Sequence, residues 1–190
     1  VFKLDLANQR YSFLENEALI NQLPLSFDGY FKVNEKDSEI DLSFKTPTSD
    51  FKNFLAVIPE SYAKNLDQVK TTGDFSINGK IKGIINDELI PKIDIRVSSD
   101  NASFKYPDLP KGVENISITA NLKNETGKLE DTYLDLEKLN FRIDQDQFAA
   151  SGTFRNITSN MLVNTQLAGK TNLANIEKDY PIELEQKLNG

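Results

Sequence analysis

The sequence predicts a mostly β chain: a long, twisted antiparallel sheet, curled into a groove or half-barrel from hairpin repeats, with two short helices. Three observations carry that expectation. Apolar and polar residues alternate over run after run, the intervals between runs hold Gly, Asn, Asp and Pro, and only two stretches show helical spacing. Successive strand side chains point to opposite faces, so each alternating run buries one face and wets the other. Such one-sidedness belongs to antiparallel sheet, because a parallel sheet covered by helices is apolar on both faces.

Taken in order, Val1 to Leu6 reads as a strand already under way, and Gln186 to Gly190 ends without a closing element. Residues 1–190 are therefore read as one β-rich module, a segment of a longer chain. Ile40, Leu42 and Phe44 alternate with Asp41, Ser43 and Lys45; Phe75, Ile77, Gly79 and Ile81 alternate with Ser76, Asn78 and Lys80. Ile93, Ile95 and Val97 follow the rule, as do Ile116, Ile118, Ala120 and Leu122. Leu134 and Leu136 are followed by Leu139, Phe141 and Ile143 with one slip of phase near Lys138, which predicts a bulge. Phe148, Ala150, Gly152 and Phe154 continue the pattern, then Val163, Thr165 and Leu167. About ten strands are expected.

Two stretches depart from period two. Phe51, Phe54, Leu55 and Ile58 fall at i, i+3, i+4 and i+7, with Ser49 or Asp50 placed to cap the N-terminus and Pro59 to stop the helix. Leu173, Ile176 and Tyr180 make a weaker copy before Pro181. These helices close two repeat-like units, 29–59 and 152–181. Each runs as a Gly-x-Phe strand start, polar turn, alternating strand, short helix and proline.

Composition excludes several functions. With 29 Asp plus Glu against 22 Lys plus Arg, the net charge of -7 is wrong for nucleic acid, whose phosphates demand concentrated positive charge. The absence of histidine and cysteine removes the usual general base, thiol nucleophiles and thiolate zinc ligation. Asp144 and Asp146 flank a turn and could in principle ligate calcium or form a glycosidase pair, but without further acids at a defined spacing a solvated loop is the better reading. Asn-x-Ser/Thr sequons begin at Asn101, Asn115, Asn124 and Asn156, and count only in a eukaryotic secretory context. The expectation is no enzyme, no cofactor and no metal.

Between two strands lies a corner, Lys105-Tyr-Pro-Asp-Leu-Pro-Lys. Pro107 and Pro110 remove two N–H donors and stop the ladder, while Tyr106 and Leu109 can fold against the strand below. This motif, with Thr72-Gly-Asp-Phe75 and more loosely "FAASGTF" and "LAGKTNLANI", resembles the C-terminal periplasmic region of AsmA-like proteins as found in Bacteroidota, over about residues 25 to 182. The resemblance implies a periplasmic module of an envelope-biogenesis protein, anchored in the inner membrane by a segment outside this chain. It further implies a groove whose apolar inner face carries phospholipid acyl chains. Candidates for that face, or for plain core, are Phe44, Phe75, Ile77, Ile93, Ile95, Ile116, Ile118, Phe141, Ile143 and Phe154. The alternative is a structural scaffold with a closed dry core that binds other envelope proteins.

Overall fold

The computed structural model describes residues 1–20, 23–47, 49–55, 68–107 and 110–171. Its strands are β1 (Phe2–Asp5), β2 (Arg10–Ile20), β3 (Leu23–Val33), β4 (Ser38–Lys45), β5 (Ser49–Asp50), β6 (Lys70–Ile85), β7 (Lys92–Lys105), β8 (Val113–Asn124), β9 (Tyr133–Ile143), β10 (Asp146–Arg155) and β11 (Leu162–Lys170). All eleven belong to one antiparallel sheet, ordered β1-β2-β3-β4-β6-β7-β8-β9-β10-β11, with β5 beside β6. Apart from the step over β5, each strand pairs with the next in sequence, as short turns between alternating runs require. The sheet stays open and is not closed into a barrel.

The eleventh strand comes from a residue pair expected to cap a helix. Directly before the helix, Ser49 and Asp50 pair with Phe75 and Asp74, taking the place beside β6 that β4 leaves at Lys45. Thr46 bridges the two stretches: its N–H donates to the Ile77 carbonyl, and the Ile77 N–H donates to Thr46 Oγ1, both at 2.8 Å. The helix that follows, α1, spans Phe51–Leu55. Its expected continuation to Ile58, the second helix at Leu173 to Tyr180 and the end of the second repeat unit lie outside the described residues.

Where both repeat units are described, their hairpins share a register. Gly29 pairs with Leu42 and Phe31 with Ile40; Gly152 pairs with Thr165 and Phe154 with Val163. Each glycine is thus thirteen positions before its partner in the returning strand. At Gly29 the requirement is strict, since φ is +131° and an added Cβ would lie 1.9 Å from the Asp41 carbonyl oxygen.

Bulges bend the broad middle of the sheet. The phase slip at Lys138 is one of them: Thr119 pairs with Lys138 but Ala120 with Leu136, so one extra residue is accommodated in β9. Others lie where Asn101 and Asn115 take left-handed φ values of 55° and 52° on adjacent strands. Asparagine tolerates that conformation, and a bulge turns and twists its strand. Asn156 is also left-handed, at 53°, and the Asn124 side chain is 1% exposed. The four sequons therefore mark three backbone requirements and one buried polar bracket.

Candidate functional site: the apolar face of the sheet

Strand register decides which side chains share a face. One row of directly paired residues runs Phe27, Phe44, Gly79, Ile95, Leu122, Leu134, Phe154 and Val163, crossing eight strands from β3 to β11. A second row runs Phe75, Ser99, Ile118, Leu139, Ala150 and Leu167. Paired residues of antiparallel strands point the same way, so the apolar residues of separate hairpins merge into one continuous surface.

That surface is not uniform. At one end, Phe75, Ile77 and Ile116 are buried with Leu23, Leu25, Phe51, Val69 and Ala102, and Ala102 is wholly inaccessible. Phe44, Ile95, Ile118 and Phe141 are half-buried and pack against this cluster, as does Tyr106. Ile93, Ile143 and Phe154 lie on the same face, half-buried, but outside the cluster. All ten predicted face residues thus share one side of the sheet, and only three of them are closed in. Five cluster members, Leu23, Leu25, Val69, Ala102 and Phe51, were not among the predicted face residues. Only Phe51 carried a signal, through helical spacing.

The corner occupies the β7–β8 connection. Tyr106 stands edge-on to Phe104 at 6.1 Å between ring centroids, an arrangement the ring quadrupoles favour. Phe104 pairs with Val113, so the corner closes onto the start of β8. Pro107 and Pro110 are exposed, and Leu109 lies outside the described residues.

The opposite face is polar and internally paired. Asp41 lies directly across from Lys82, with 2.7 Å between carboxylate and ammonium. The hydrogen bond from Lys82 holds Asp41 below its ordinary value, and the same contact raises Lys82. Arg96 grips Glu137 with two N–H donors at 3.0 and 3.2 Å, and Asn121 Nδ2 donates to the same carboxylate at 2.7 Å. Glu137 reaches across β8 because it sits in the Lys138 bulge; its pKa is lowered first by Arg96 and then by Asn121. A shallow depression of about 630 Å³ crosses this face from Ser26 and Asp28 on β3 to Glu137 on β9. Its cations and carboxylates interleave, so neither sign of charge is concentrated there.

The acids considered for metal or sugar chemistry are engaged elsewhere. Asp144 pairs with Lys111 at 3.1 Å, and Asp146 accepts a hydrogen bond from the Thr171 hydroxyl. Among the described residues no group of three or more His, Cys, Asp or Glu side chains is placed to hold a metal ion. No helix among them is long and apolar enough to cross a membrane. Compared with family models, curated proteins and solved structures, the chain matches none.

Proposed function

We propose that this chain is a non-enzymatic module that holds phospholipid acyl chains on the apolar face of its sheet. The AsmA-like resemblance adds the setting: a periplasmic part of an envelope-biogenesis protein. One observation supports the reading above the others. The registered apolar surface continues well past the buried cluster, through Ile40, Leu42, Ile81, Ile93, Leu122, Leu134 and Phe154, all only half-buried. Apolar surface of that extent costs free energy in water, roughly 25 cal/mol per Å², and acyl chains would relieve it without any directional partner.

Native mass spectrometry of the chain purified from bacterial cells, followed by lipid extraction, tests this. Co-purifying phospholipid is expected, and Ile93→Asp, which lies outside the buried cluster, should abolish it while keeping the far-UV β signature. A lipid-free mass at every concentration would sink the proposal.

A structural scaffold is the second reading, favoured by the buried cluster around Phe75. There the apolar face is already closed by Phe51, Leu23, Leu25 and Val69, as a dry core would be.

A further inference from the structure

The segment that seals the apolar face at its buried end meets like charge on its polar side. β5 contributes two ladder positions, Ser49 opposite Phe75 and Asp50 opposite Asp74. Asp74 is in turn opposite Asp100 on β7. Directly paired residues of antiparallel strands share a face, so Asp50, Asp74 and Asp100 form a row of three carboxylates on the polar side, all exposed. Asp100 accepts a hydrogen bond from the Ser117 hydroxyl at 2.7 Å, and among the described residues none of the three has an ion-pair partner. Like charges directly opposite each other disfavour strand pairing. On the apolar side Ser49 is buried, and Phe51 joins Phe75, Ala102 and Ile116 in the cluster, with α1 lying against β6 and β7. Just before this segment the chain is fixed, because the two Thr46 bonds to Ile77 are buried and tie the end of β4 to β6 whether or not β5 is paired.

We propose that residues 49–55 form an autoinhibitory strap, which detaches from β6 with Thr46 as its fixed point and adds Phe75, Ala102 and Ile116 to the open part of the apolar face. The inhibitory role rests on the acyl-chain reading, in which strap and acyl chain compete for one surface. The detachment itself does not. Two opposing forces set the balance: burial of Phe51 closes the strap, and repulsion between Asp50 and Asp74 loosens it. All three carboxylates reach solvent, so salt screens the repulsion and tightens the strap. Local openings of this kind occur without global unfolding and are read by amide hydrogen exchange.

Hydrogen exchange on the chain without lipid, at low and high salt, tests the detachment. Amides shared by β5 and β6 are expected to exchange at least tenfold faster than those shared by β6 and β7, and to slow about twofold as salt rises from roughly 20 to 500 mM. Asp50→Lys sets an ammonium opposite Asp74 on the exposed face. It should slow the β5–β6 amides about three- to tenfold and reverse the salt effect, with Asp50→Asn in between. Equal rates for the two sets of amides, or rates indifferent to the charge at position 50, would overturn the strap. Native mass spectrometry of the unmodified chain and Asp50→Lys, both purified from bacterial cells, then tests the inhibitory role. Asp50→Lys should retain at least threefold less phospholipid. Equal phospholipid in both would overturn the competition and spare the acyl-chain reading. Phospholipid in neither would overturn that reading and the inhibitory role together, while the exchange rates still decide the strap.

Discussion

The Phe44 ring lies across Gly79, its registered partner on the neighbouring strand. A Cβ added at Gly79 would stand 2.2 Å from Phe44 Cζ. The missing side chain on β6 is what lets an aromatic ring of β4 lie flat on the apolar face beside Ile95. Gly79→Ala should therefore destabilise the fold by about 1–3 kcal/mol through overpacking, and Phe44→Leu should recover part of that loss. Gly29→Ala meets a backbone carbonyl and a positive φ instead, so no side-chain change should rescue it. Urea unfolding of the singles and of the Gly79/Phe44 double variant checks both statements.

Core position rather than residue type should govern the cost of truncation. Phe75 is 2% exposed inside the cluster, whereas Phe154 is half-buried beyond it. Phe75→Ala is expected to cost about 3–5 kcal/mol and Phe154→Ala clearly less. Equal costs in chemical denaturation would mean that the apolar face is closed along its whole length.

Asn124 should be as costly to remove as a core hydrophobe. Its amide donates to the Lys128 carbonyl at 2.6 Å and to Thr132 Oγ1 at 2.8 Å, and its carbonyl accepts from the Gly127 N–H at 2.7 Å. Asn124→Ala strands these partners in a buried site, for an expected loss of about 2–4 kcal/mol. Asn124→Asp keeps the Gly127 bond but loses both donors, so it should fall short of rescue. Thermal melts at neutral pH distinguish the three proteins.

The polar face predicts a plateau of stability with two limbs. Asp41 and Glu137 are held below their ordinary values, so their contribution is present above those values and is lost as pH falls through the lowered ones. Lys82 is raised above its ordinary value of 10.5, so its contribution is present below that value and is lost as pH rises through the raised one. All three side chains reach solvent, and the limbs should be shallow and weaken with salt. Glu137→Gln should reduce the acid limb to the share of Asp41 while leaving the alkaline one, as melting temperatures across the pH range would report.

Much of the fold was legible along the chain, because period-two alternation is a property of each strand alone. Even the bulge at Lys138 showed as a break in phase between Leu136 and Leu139. The short strand at Ser49 and Asp50 was not legible for a physical reason: residues suited to precede a helix have extended backbone that can also join a ladder, and β6 runs on past the end of β4 with donors and acceptors to satisfy. The polar network was not legible at all. Nothing between Asn121 and Glu137 announces that a bulge will aim one carboxylate across a strand onto Arg96.

The apolar face divides along the same line. The sequence by itself determined that Phe75, Ile93, Ile116 and Phe154 face one side, since a strand's side chains can point only two ways. Which of them are sealed was decided only by tertiary structure. Burial depends on atoms brought from elsewhere, and Leu23, Leu25, Phe51 and Val69 converge on Phe75 and Ile116 while the described residues bring no such cluster to Ile93 or Phe154.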